Sequence, residues 1–198
     1  WLGPVGEECT AVRERVGLMD LSTFSKYDVI GPGAEVFLNR ISSNRMPRKV
    51  GGIVLAHMLT AGGRIESEFT ATRLGPEHFY VLAAAVAQHH DLSLMRNAAR
   101  PGEAVTITDL TDDYGTLVLA GPLARDVLAG TTTADLSDAA FRWLTGKEIE
   151  VAGVPTRALR VTYVGELGWE LHAPMAGLPA IFDALMRAGK PHGIALFG

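Results

Sequence analysis

Apolar and polar positions alternate along this chain in short blocks, some at the two-residue period of a strand and some at helical spacing. In residues 7–17 and just beyond, Val12, Val16 and Met19 are spaced by four and three, which predicts a helix with one buried face ending near Gly17. Residues 26–30 read as a strand, Gly31-Pro32-Gly33 as a turn and 34–41 as a second helix. Residues 44–49, polar with a proline, read as a linker. Strands are expected over 53–59, 65–74 and 79–85, with turns at Gly62-Gly63 and Gly75-Pro76; such short spacing favours antiparallel hairpins. A helix over 88–99 and a strand over 104–110 give this block a β-β-β-α-β order. Beyond it, strands over 116–120, 148–151, 156–163 and 169–172 are interspersed with helices over 123–129 and 178–188.

Strands grouped without regular β-α alternation indicate an α+β fold. The expectation is two lobes of antiparallel sheet with helices. Residues 1–50 and 112–198 form a discontinuous first lobe, and 51–111 form a second lobe inserted in it.

The 198 residues are 47% hydrophobic and 20% charged, a composition that folds and is not disordered. A net charge of −4 supplies no basic field for nucleic acid. The longest aliphatic stretch, residues 81–87, is far short of the roughly 20 residues of a membrane span. One cysteine, Cys9, excludes an internal disulfide framework and a thiolate zinc cluster and fits a reducing, cytoplasmic compartment. The chain opens on Trp1 and closes on the apolar residues 194–198, so it reads as an excerpt of a longer protein with an apolar face at its end.

Two segments carry candidate chemistry. Strand alternation over residues 65–70 puts Glu66, Glu68 and Thr70 on one face and Ile65, Ser67 and Phe69 on the other. Two carboxylates on one face repel, which raises one pKa if they are buried; a solvent-facing polar side gives the same pattern. A glycosidase acid and base is a further reading of the pair. In residues 160–171, Gly165 and Gly168 bracket Glu166, with Tyr163, Trp169 and Glu170 around it. An aromatic ring supplies a flat wall, and a carboxylate accepts two parallel hydrogen bonds from an amidine-like heterocycle edge such as a pterin's. A hairpin turn with a surface glutamate reads equally well. No phosphate-binding glycine motif is present. The adjacent His89-His90 pair points about 100° apart on a helix and makes a poor metal site, so no metal is expected.

Residues 160–171, Arg-Val-Thr-Tyr-Val-Gly-Glu-Leu-Gly-Trp-Glu-Leu, resemble the R-x-S/T-Y-x-G-E-x-G-x-E pattern of the aminomethyltransferase (glycine-cleavage T-protein) folate-binding family. Residues 12–22, Lys26-Tyr27-Asp28-Val29 with Gly31-Pro32, residues 63–70 and Ala120-Gly121-Pro122 resemble its branch fused to flavin-dependent dimethylglycine and sarcosine dehydrogenases and oxidases. The resemblance implies a site for tetrahydrofolate. It places the catalytic carboxylate at Glu68 and the pterin-binding glutamate at Glu170. Tyr163 matches a site tyrosine, with Glu166 and Trp169 in the same cofactor-binding segment. An ungapped count from Gly62-Gly63 lands instead on Ser67, and a site tyrosine of the preceding strand is Leu55 here.

The resemblance also implies partners. Tetrahydrofolate would capture a methylene group from the iminium of a small N-methyl amine, giving 5,10-methylenetetrahydrofolate. FAD would sit in an upstream flavin domain, and a barrel-like C-terminal domain with an arginine contact to folate would follow. A folate-binding or assembly module without catalysis is the alternative.

Overall fold

A computed structural model describes residues 1–198 as two compact units, Trp1–Ser22 with Asp112–Gly198 and Thr23–Thr111. The first unit holds a six-stranded sheet in the order β11-β1-β7-β10-β9-β8. Its strands are β1 (Gly17–Asp20), β7 (Tyr114–Ala120), β8 (Gly146–Val151), β9 (Val154–Leu159), β10 (Gly168–Pro174) and β11 (Ala195–Leu196). Its helices are α1 (Leu2–Glu14), α4 (Ala124–Ala129) and α5 (Leu178–Gly189). Neighbouring strands run antiparallel except β1 and β11, which pair in parallel. Alternation on β10 sends Trp169, Leu171 and Ala173 into a core with Leu117 and Leu119 of β7, where α4 adds Val127 and Leu128 and α5 adds Ile181 and Leu185. Each large apolar side chain buried this way contributes about 1.5–3 kcal/mol. Glu170 and His172 fall on the opposite face of the strand.

The second unit holds a five-stranded sheet in the order β3-β4-β5-β2-β6. It comprises β2 (Ser25–Ile30), β3 (Ile53–Leu59), β4 (Ile65–Gly75), β5 (His78–Ala83) and β6 (Thr106–Asp109), with helices α2 (Ala34–Ile41) and α3 (Gln88–Ala98). All its strand pairs are antiparallel. Its core gathers Tyr27 and Val29, Ala56 and Met58, Phe69 and Ala71, and Phe79 and Val81 from the sheet, with Phe37 and Leu38 of α2 and Leu92 and Met95 of α3.

The α+β class is as expected, with two antiparallel-rich sheets and five helices. Several boundaries differ. Residues 23–50, expected in the first lobe, belong to the second unit, because β2 is the strand that β5 and β6 both bond. The expected linker at 44–49 is part of this unit too: Met46 is buried in its core, and its backbone N–H donates to Asn39 Oδ1 at 2.8 Å. The first helix starts at Leu2 and stops at Glu14, and Met19 lies on a strand, β1. Its spacing from Val16 imitated helical periodicity across a helix-to-strand junction. The strand expected over 156–163 ends at Leu159, which leaves Tyr163 on a loop. Of the apolar end, Leu196 is exposed, while Phe197 packs with Val12, Val118 and Val164.

Candidate functional site

The motif glycines have mechanical reasons. Gly165 has φ +78°, a left-handed conformation that costs other residues about 1–2 kcal/mol. Gly168 starts β10 so close to β7 that a Cβ there would lie 2.7 Å from the Leu119 carbonyl oxygen. Together they turn the chain from the loop into a central strand, which delivers Glu170.

Glu170 is only 5% exposed. Its cross-strand neighbours are Val118 on β7 and Leu159 on β9, both apolar. A carboxylate in such surroundings needs hydrogen bonds to remain charged. His172, two residues on and on the same face, supplies one: its Nε2 lies 3.2 Å from Glu170 Oε2. His172 Nδ1 lies 2.8 Å from the hydroxyl of Thr116, directly opposite on β7. One tautomer satisfies all three groups, with Nε2–H donating to the carboxylate and the Thr116 O–H donating to Nδ1. This chain engages Oε2 and leaves Oε1 open as an acceptor.

The other members of the motif diverge. Glu166 Oε1 accepts from Arg13 Nη1 of α1 at 2.5 Å, which ties the loop to that helix. Tyr163 is 69% exposed on the loop. Trp169, expected at the cofactor, is fully buried in the first unit's core. Its ring meets Phe141 edge-on at 6.1 Å, and the guanidinium groups of Arg160 and Arg125 lie 5.6 and 6.0 Å from its ring centre. Asp138 receives hydrogen bonds from Arg125 and Arg160, which hold its carboxyl below the ordinary aspartate range. The Arg160 and Trp169 of the motif therefore build scaffold, and the expectation for Trp169 is corrected: strand alternation turns it away from Glu170.

In the second unit Glu68 stands directly opposite His57 on the neighbouring strand, with Oε2 2.8 Å from Nε2. The Glu68 side chain is 55% exposed and that of His57 25%. Ser67 points the other way, with its hydroxyl buried and unpartnered. Glu66 was expected to share the face of Glu68 in regular alternation. Instead the ladder shifts register between Met58 and Leu59, whose partners are Ser67 and Ile65, so Glu66 is the extra residue of a bulge. Its Oε1 lies 3.2 Å from His90 Nε2 on α3, and His90 Nδ1 lies 3.2 Å from the buried Asp91. The two glutamates thus serve different histidines. Leu55, half exposed, lies opposite Thr70 on the same face as His57 and Glu68. No cluster of three or more metal-ligating side chains occurs.

Sequence reading passes over His57, Thr116 and His172. For His172 a signal existed, since residues two apart on a strand share a face. Chemically, Glu170 can accept from a donor edge, and the Glu68–His57 pair can take up a proton near solvent.

Three comparisons bear on this geometry. Residues 1–198 match the family described as the GCVT N-terminal domain. Rat mitochondrial dimethylglycine dehydrogenase is 39% identical over 199 residues, covering 100% of this chain and 23% of that protein. Human mitochondrial sarcosine dehydrogenase is 32% identical, covering 96% of this chain and 22% of its own length. The chain thus spans less than a quarter of these curated relatives. Among solved structures, glycine cleavage system aminomethyltransferase T from Bartonella henselae superimposes with a TM-score of 0.85 at 26% identity, over 98% of this chain and 51% of that one. Matched along its whole length, the chain belongs to the GCVT N-terminal domain family and is similar to the corresponding part of dimethylglycine and sarcosine dehydrogenases and to an aminomethyltransferase.

Proposed function

We propose that this domain binds tetrahydrofolate and promotes capture of a methylene group from an iminium derived from an N-methyl amine. The carrying observation is the buried Glu170 carboxylate, hydrogen-bonded through Oε2 and not through Oε1, and the resemblance matches it to the family's pterin-binding glutamate. An acceptor held in apolar surroundings fits the donor edge of a pterin, and Tyr163, exposed on the preceding loop, is the proposed ring wall. Glu166 and Trp169 contribute by tying the loop and filling the core. The bound folate supplies two nitrogens that accept the carbon as a bridge, giving 5,10-methylenetetrahydrofolate, the demethylated amine and one proton.

Glu68 is the proposed acceptor of that proton and the charge that steadies the developing cation. Its exposure supports it over Ser67, whose hydroxyl faces inward. Such general-base help is worth roughly 10²–10⁴-fold. A flavin-bearing domain outside this chain is the proposed source of the iminium, in keeping with the dehydrogenase names of the relatives. The amine would be chosen there. No helix is long and apolar enough to cross a membrane. The free Cys9 supports a reducing, cytoplasmic setting, whereas the rat and human relatives are named mitochondrial.

The test uses the full-length protein with its flavin domain and follows labelled methylene transfer to folate against formaldehyde release. In Glu68→Gln, folate binding should hold within a few-fold and transfer should fall by about 10²-fold or more. Normal transfer in that variant removes Glu68 from catalysis and leaves a folate-binding module.

A further inference from the structure

We infer that His172 is a positioning residue for folate: it fixes the Glu170 carboxylate through a hydrogen-bond chain anchored on Thr116. The inference rests on the folate-binding reading of Glu170 and adds how that carboxylate is aimed.

The three groups lie on adjacent strands of one sheet and are almost sealed, at 5% exposure for Glu170, 1% for His172 and 0% for Thr116. Both cross-strand neighbours of Glu170 are aliphatic, so neither residue directly opposite it offers a side-chain hydrogen bond. Without the imidazole, Oε2 would lose its one hydrogen bond and the carboxylate would be free to rotate, which moves the acceptor offered to the ligand. His172 donates from Nε2 only in one neutral tautomer or when doubly protonated. The Thr116 hydroxyl, 2.8 Å from Nδ1, anchors the other side of the ring, since a hydroxyl can donate to a bare Nδ1 or accept from an Nδ1–H. A hydroxyl opposite a histidine on a neighbouring strand thereby steadies the ring that engages one oxygen of a carboxylate two residues along. Oε2 is held, and Oε1, which makes no hydrogen bond within the protein, is the acceptor left for the ligand.

The experiment measures tetrahydrofolate affinity and steady-state transfer in the full-length protein for His172→Leu, His172→Gln, Thr116→Val and Glu170→Gln. His172→Leu removes the donor and should weaken folate binding by about tenfold or more, the lower range for a hydrogen bond to a charged group. At saturating folate, kcat should stay within about twofold, since no chemical group is lost. His172→Gln carries an amide N–H where Nε2 stood and should recover affinity to within about threefold. Thr116→Val, nearly isosteric, should cost a few-fold by releasing the Nδ1 side of the ring.

Wild-type affinity in His172→Leu with weakened binding in Glu170→Gln overturns the inference and leaves the folate reading standing. Wild-type affinity in both shows that folate does not use Glu170 and overturns both. Equal losses in His172→Leu and His172→Gln reduce His172 to packing. Should His172→Leu fail to fold, wild-type affinity in Thr116→Val overturns the inference, and a few-fold loss there with recovery in His172→Gln supports it.

Discussion

His57 and Glu68 face each other across the β3–β4 ladder, with 2.8 Å between the imidazole Nε2 and the carboxylate Oε2. At side-chain exposures of 25% and 55% the pair is worth about 0–1 kcal/mol. His57→Gln should therefore lower methylene transfer by no more than about fivefold, against about 10²-fold for Glu68→Gln. Glu66→Gln should leave transfer unchanged, because that carboxylate is turned to His90. Single-turnover transfer to labelled folate checks all three. A His57→Gln defect as deep as that of Glu68→Gln would make the imidazole the proton acceptor.

Trp169→Ala should destabilise the fold by about 3–5 kcal/mol, since it empties a fully buried ring site beside Phe141 and two guanidinium groups. Urea unfolding followed by far-UV circular dichroism measures the loss. A residue that instead touched ligand would lose affinity at unchanged stability.

Gly168→Ala puts a Cβ 2.7 Å from the Leu119 carbonyl oxygen, and backbone must move to admit it. A cost of about 1–3 kcal/mol is expected, together with weaker folate binding, because the shift displaces β10 at Glu170. Gly165→Ala strains φ without meeting any atom, so its cost should be about 1–2 kcal/mol, with a smaller effect on affinity. Thermal melts and folate titration of the two variants separate the mechanisms.

Tyr27 is buried in the second unit's core, with its hydroxyl donating to the Gln88 carbonyl oxygen at 2.7 Å. Burial pushes its pKa up from about 10 to about 12, with Asp91 and Asp109 adding to the rise. The unfolded chain releases this proton near pH 10, while the folded chain holds it to about pH 12. Stability is therefore whole below pH 10 and falls by about 2–3 kcal/mol across the next two units. Tyr27→Phe should flatten this alkaline loss. Urea midpoints between pH 8 and 11.5 for the two proteins check it, and equal slopes would contradict it.

Much of the β-rich middle was legible because each strand there is short, alternating and bounded by glycine. The His57–Glu68 pairing was not legible, because the tip bond from Thr60 to Arg64 is centred on Gly62 and only the bulge at Glu66 brings Glu68 opposite His57. The unit boundary was not legible. Ser25–Ile30 looks like any half-buried strand, and only long-range pairing with His78–Ala83 and Thr106–Asp109 assigns it. At the candidate site, Glu170 stood out by its motif. Trp169 was misread because a motif's spacing does not say which of two adjacent strand residues faces inward. Thr116 was invisible for a similar reason: it lies 56 positions from His172, and the register that joins them comes from the folded sheet.

The bulge at Glu66 has a bearing on how sequences of this kind are matched. At the hairpin tip, the Thr60 N–H donates to the Arg64 carbonyl, one residue out of step with the pairing of His57 and Glu68 farther down. Glu66 makes up the difference. Deleting it would let the tip and the strands run in one register, and the acid, renumbered by one, would still meet His57. Gap-free counting from the glycine turn is therefore a poor guide to the acid, because an indel of one residue is absorbed before it reaches the ladder. In this hairpin the acid is defined by the histidine it faces across the ladder, and its distance from the glycines includes one residue that the ladder does not use.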